Sequence, residues 1–194
     1  MLKVGITGGI GSGKTTACRI FETLGIPVYY ADNRAKQLMV EDAQLIAAIS
    51  DLLGTSAYTP DGQLDRAYVA SVVFQDKKKL DALNAIVHPA VALDGQRWHA
   101  AQTNVPYTLK EAALLFESQN HRYLDKVITV FAPKEIRIQR VMARDGVDEA
   151  SVQARMKRQM SDEEKLKLAD YILYNDGEQL LIPQVLEIHR RLVG

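Results

Sequence analysis

The stretch Leu2-Lys3-Val4-Gly5-Ile6-Thr7 runs straight into Gly8-Gly9-Ile10-Gly11-Ser12-Gly13-Lys14-Thr15-Thr16. The first part is a short run with β-branched residues that ends in glycines, the signature of a strand. From Lys14 onward the apolar residues fall at Ala17, Ile20, Phe21 and Leu24, the spacing of an amphipathic helix. Gly25 supplies the C-terminal stop, and Ile26–Tyr30 reads as a second strand. Strand, glycine-rich turn, helix and strand in that order predict a βαβ unit and a parallel sheet. The turn also matches G-x-x-x-x-G-K-[ST] at every fixed position. Glycines there let successive N–H groups turn inward on an anion, and the helix N-terminus adds positive potential at the same point. Gly9, Gly11, Ser12, Gly13, Lys14, Thr15 and Thr16 are therefore expected to hold the phosphates of a nucleotide. Lys14 reaches the β and γ phosphates, and the Thr15 hydroxyl joins the shell of a Mg²⁺ ion.

Outward from this unit the alternation continues. Pro106–Phe116 carries the apolar run Ala112-Ala113-Leu114-Leu115-Phe116, read as a buried strand or its tail. Val127–Phe131 is a strand, Pro133–Arg144 a helix, and Ala169–Tyr174 a last strand before the turn Asn175-Asp176-Gly177. A closing helix carries Ile182, Val185, Leu186, His189 and Leu192 on one stripe. Between the second strand and Pro106, helical spacing recurs at Ala43–Leu53, Arg66–Phe74 and Lys79–Val87, with Pro89 expected to end or kink the third. Asp148–Leu168 is a further charged helical stretch, and Ser161-Asp162-Glu163-Glu164 matches a capping box. The expected organisation is one α/β domain with a core at about 1–32, 106–145 and 169–194. Helical inserts interrupt it at about 33–105 and 145–168.

The chain has 194 residues, a prior of about one to one and a half domains. Hydrophobic residues at 47% and charged residues at 25% lie on the globular average, which excludes disordered, collagenous and coiled-coil classes. Lys+Arg and Asp+Glu balance at 24 each, so no global field favours nucleic acid or an anionic membrane. The single cysteine, Cys18, rules out an internal disulfide and suits a reducing compartment. There is no transmembrane run, and the first residues meet glycines too early for a signal peptide. A cytoplasmic location is expected, with a monomer or a small homo-oligomer both compatible. The histidines show no metal-ligand spacing with one another or with Cys18.

Several reactions use such a loop. A GTPase would need an N/T-K-x-D signature, which is missing, and a small phosphotransferase suits the length best. A kinase for another hydroxyl acceptor, such as a nucleoside monophosphate or shikimate, and a nucleotide-dependent switch are the rivals. Asp32 follows the second strand, where ligands of an open parallel sheet bind. It is a candidate to take the proton of an attacking hydroxyl, or alternatively the cap of the next helix. Arg140 and Arg144, four apart, and Arg155 and Arg158, three apart, are candidates to clamp transferring phosphates, or simply a solvated face. His88-Pro89 reads as a helix end.

Taken together, GITGGIGSGKTT, the Ile26–Asp32 segment, DGQLDR ending at Arg66, Val72–Phe74, His88-Pro89, ALLFES around Glu117, Arg140–Asp145 and Ala169–Gly177 resemble the dephospho-coenzyme A kinase family, over about residues 3–190. The resemblance implies a three-layer P-loop fold with a helical substrate-binding insert over about 33–105 and a lid over about 145–168, and transfer of the γ-phosphoryl of ATP to the ribose 3′-hydroxyl of dephospho-coenzyme A, with Mg²⁺. It implies Asp32 as base, Arg140 as a catalytic lid-region arginine, and Arg144, Asn175 and Gly177 at the nucleotide. Arg66 and His88 would contact the acceptor together with Asp32. Two positions depart from the family pattern: Tyr30 stands where many members have the first Asp of D-A-D, and Ala113 where many have proline.

Overall fold

The computed structural model describes residues 1–194. The chain separates into two compact units, Met1–Tyr30 with Ala101–Gly194, and Ala31–Ala100. In the first unit, β1 (Leu2–Thr7), β2 (Val28–Tyr30), β3 (Tyr107–Glu111), β4 (Lys126–Phe131) and β5 (Tyr171–Tyr174) form one sheet in the order β2-β3-β1-β4-β5. Every pairing is parallel, so each connection must cross over, and both faces of the sheet need cover.

Alternation along the strands sorts the two faces. Val4 and Ile6 of β1, Tyr107 and Leu109 of β3, and Ile128 and Val130 of β4 pack with Ala17, Cys18 and Phe21 of α1 (Lys14–Thr23) and with Val185, Ile188 and Leu192 of the C-terminal helix (Leu181–Val193). Phe21 meets the Tyr107 ring edge-on at 6.4 Å, and the Tyr107 hydroxyl bonds His189 Nδ1 at 2.8 Å. Cys18 is buried here as a packing residue. On the opposite face Leu115, Phe116 and Val127 form a second cluster with Leu124 and Met160. The run Ala112–Phe116 is thus not strand. β3 stops at Glu111, and the chain turns so that Leu115 and Phe116 cover the sheet instead of joining it.

Within the 31–100 unit, α2 (Ala31–Glu41) follows β2 without a break, and α3 (Ala43–Leu53) starts at the Asp42 cap, whose carboxylate accepts from the Gln44 and Leu45 N–H groups. α4 (Arg66–Val73) starts likewise at Asp65. Arg34 ties α2 to α5 (Lys77–Ala100) through two bonds to the Asp94 carboxylate, at 2.9 and 3.1 Å, and also pairs with Glu41. α5 continues through Pro89, so the proline does not end it, and His88 is a mid-helix residue rather than a helix end. Proline removes the donor to the Ala85 carbonyl. Ala85 and Pro89 are both exposed, which leaves that carbonyl to water and makes the interruption tolerable.

The remaining helices lie in the first unit. α6 (Lys134–Asp145) follows β4, α7 (Glu149–Met156) and α8 (Asp162–Leu168) divide the single helical stretch read over Asp148–Leu168, and α9 is the helix Leu181–Val193. The capping box is present, with Ser161 Oγ accepting from the Glu164 N–H and the Glu164 carboxylate accepting from the Ser161 N–H. α8 packs on β4. Its Lys165 is fully buried, with Nζ 2.9 Å from Glu117 Oε1. The ammonium lies off the hydrogen-bonding direction, so this contact is one of charge, while Oε1 accepts the Met160 N–H at 2.7 Å. Cutting a buried pair leaves a lone charge, at a cost of about 3 kcal/mol or more. Lys165→Met is expected to lower the melting midpoint by about 6–12 °C, with Glu117→Gln in the same chain restoring most of it. An unchanged midpoint in a thermal scan of Lys165→Met contradicts the assignment.

Candidate active site

β1 delivers the chain at Gly8 into a loop that closes on itself, with the Ser12 N–H on the Gly9 carbonyl at 3.1 Å. Gly13 caps α1 with φ 96° and supplies no side-chain acceptor, and the first turn of α1 holds no acidic residue. The N–H groups at the head of α1 are thus left for an anion. Lys14 folds across the loop and donates to the Gly8 carbonyl at 3.0 Å, with the Gly9 carbonyl at 3.5 Å. Thr15 and Thr16 are exposed at the helix start.

The outer side of the loop is packed against polar side chains, and a side chain on either of two of its glycines would have to displace them. A Cβ on Gly13 would stand 2.0 Å from Asn175 Nδ2. Asn175 sits just past β5 and donates that amide to the Ser12 carbonyl at 2.8 Å. A Cβ on Gly9 would stand 1.7 Å from Arg137 Nη1. Arg137, in the first turns of α6, is 6% exposed and pairs with Asp162 at the start of α8. One turn on, Arg140 Nη1 donates to the Asn175 carbonyl at 3.1 Å. The loop, Arg140 and Asn175, expected together, are therefore found together. Asn175 grips the loop itself.

Arg144 lies in the last turn of α6 and turns outward, donating from Nε and Nη2 to Asp145 at 2.7 and 3.1 Å. Arg155 donates to the same carboxylate at 2.8 Å. The two cations, Arg144 first, hold the Asp145 carboxyl below the usual carboxylate range. Gly177 has φ 92° and open space around it. The other predicted residues belong to the 31–100 unit. Asp32 is exposed in the first turn of α2, behind Ala31, so it is not the cap of that helix. Arg66 opens α4, exposed, and His88 is exposed on α5.

The sequence matches the family described as Dephospho-CoA kinase over residues 2–180. The dephospho-CoA kinase of Salinibacter ruber is 45% identical over 179 residues, covering 91% of this chain and 90% of that one. The chain belongs to the dephospho-CoA kinase family. A solved structure titled TT1252 from Thermus thermophilus superposes with a TM-score of 0.88 at 33% identity, over 100% of this chain and 98% of that one. Dephospho-CoA kinase from Campylobacter jejuni gives 0.71 at 26% identity, over 98% and 96%. Like these relatives the chain has an α/β P-loop fold, and as a member of the dephospho-CoA kinase family it is a kinase. No helix is long and apolar enough to cross a membrane.

One residue of this family member escaped the sequence reading. Glu111 ends β3, the strand beside β1, paired in register with Ile6 and with Tyr30. It is 8% exposed. Its register partner Ile6 lies two residues before Gly8, which sets Glu111 at a strand end beside the loop; burial pushes the Cys18 thiol of α1 up, and the Glu111 carboxylate pushes the same way. Tyr30, the departure from D-A-D, donates its hydroxyl to Glu22 of α1, and burial raises it. The donor set suits Mg²⁺. No cluster of three or more His, Cys, Asp or Glu side chains forms a protein cage. Instead a hydroxyl and a carboxylate stand by a phosphate-binding loop, and Mg²⁺ takes few protein oxygens, completing its shell with phosphate and water.

Proposed function

We propose that this kinase transfers the γ-phosphoryl group of ATP to the ribose 3′-hydroxyl of dephospho-coenzyme A, releasing coenzyme A and ADP. The reading is carried by the likeness to proteins named dephospho-CoA kinase along nearly the whole chain, far beyond a loop that many kinases share. The N–H groups at the head of α1 bind the β and γ phosphates, and Lys14 spans them. Arg140 steadies the loop through Asn175 and faces the charge that develops on the transferring group. Arg144 is released from Asp145 to the nucleotide as phosphate arrives, and Gly177 lets the turn after β5 lie against the base.

Asp32 takes the proton of the 3′-hydroxyl as that oxygen bonds to the γ phosphorus. The bond from phosphorus to the β–γ bridging oxygen breaks, and its electron pair leaves with ADP. Arg66 and His88 hold the acceptor. Thr15 and Glu111 would hold Mg²⁺, which supplies charge neutralisation at the β and γ oxygens when bound. The setting is the cytoplasm, where Cys18 stays a thiol.

An acceptor panel tests this reading by ADP release with ATP and Mg²⁺ present. Turnover with dephospho-coenzyme A, and only background with shikimate or nucleoside monophosphates, supports it. Faster turnover with either rival acceptor overturns it.

A further inference from the structure

Three of the contacts around the loop come from a part of the chain far away in sequence. The Ile10 N–H, at the outer bend of the loop, donates to the Gln159 side-chain carbonyl at 2.8 Å across a separation of 149 residues. The Ile10 side chain packs into the cluster of Ile138, Val141, Val152 and Met156, formed by α6 and α7. Behind Gly9 stands the Arg137–Asp162 pair. Gln159 is itself seated on a firm base. Its neighbour Met160 is bonded to Glu117, Ser161 closes the capping box, and Lys165 is buried against Glu117.

From this we infer that Gln159 is a positioning residue for the phosphate-binding loop, holding the Ile10 N–H outward so that the N–H groups beyond it converge on the nucleotide phosphates. This deepens the functional reading above and rests on it. A loop built of glycines has many accessible conformations, and an N–H at its bend without an acceptor would be free to rotate toward any competing one. The amide carbonyl of Gln159 satisfies that donor without placing a negative charge beside the phosphates, which a carboxylate at the same point would do. The stretch Gln159–Lys165 is therefore part of the cradle's support.

Gln159→Met keeps the bulk of the side chain and removes the acceptor. Affinities for ATP and ADP, measured by titration calorimetry on the whole enzyme, are expected to fall about fivefold or more, the worth of one hydrogen bond. The KM for dephospho-coenzyme A is expected to stay within about twofold and the melting midpoint within about 2 °C, since a single half-buried bond is removed. ATP affinity equal to wild type, or equal losses for nucleotide and acceptor, overturns the inference. If the underlying reading is wrong the signature differs: the acceptor panel then shows faster turnover with shikimate or a nucleoside monophosphate, while the loss of ATP affinity in Gln159→Met remains.

Discussion

Lys14→Ala is expected to lower kcat by about a thousandfold or more while the protein remains folded. Removing one neutral donor from a preorganised site costs two to three orders of magnitude in known cases, and Lys14 carries a full charge. Its ammonium already lies across the loop on the Gly8 and Gly9 carbonyls. A full charge aimed at the transferring group is worth most in the transition state, where negative charge on that group develops. Lys14 is not itself one of the buried core residues, so the melting midpoint should move by only a few degrees. Steady-state kinetics decide the matter, and a kcat within tenfold of wild type would refute the role.

Asp32→Asn has the next largest expected effect, a fall in kcat of about a hundredfold or more with the KM for ATP changed less than about threefold. General-base catalysis by a positioned carboxylate is worth two to four orders of magnitude. The asparagine keeps the size and polarity of the side chain and loses the ability to take a proton. Asp32 is exposed in the first turn of α2, two residues past the end of β2. It caps nothing and is not part of the core, so a loss of activity there has no structural explanation. If ATP binding collapses while turnover at saturation is unchanged, Asp32 serves the nucleotide and not the acceptor hydroxyl.

The parts of the fold that the sequence makes legible are those governed by local rules. β1, the glycine loop and α1 follow from period, glycine placement and a lysine-threonine pair within fifteen residues. The capping box at Ser161 follows from a spacing of three. Legibility fails where tertiary contact decides. The apolar run Ala112–Phe116 looks like strand, but its buried side chains Leu115 and Phe116 serve a cluster on the other face of the sheet. That misreading carried the strand end past Glu111, while Glu117, in the ALLFES segment, holds α8 through Lys165. A shorter strand, with its terminal acid noted beside β1, was the available signal for Glu111.

Pro89 illustrates the reverse case, a strong local breaker tolerated because its helix face is open to solvent. Arg137 reads in sequence as one more charge on a helix, yet it is nearly buried behind Gly9. Asn175 could be placed after the last strand from its turn chemistry, but nothing in its neighbours announces the Ser12 carbonyl as its partner. Gln159 had no local signal at all, since only the folded chain brings it to Ile10.

The central claim is that a phosphoryl group gripped by this loop is handed to one particular sugar hydroxyl. Incubation with ATP, Mg²⁺ and dephospho-coenzyme A, followed by mass spectrometry and phosphorus-coupled NMR of the product, tests it most directly. A single new phosphate on the ribose 3′-oxygen, formed in step with ADP and lost in Lys14→Ala, is the predicted result. A phosphate at another position, or ADP formed with the acceptor unmodified, would contradict the account.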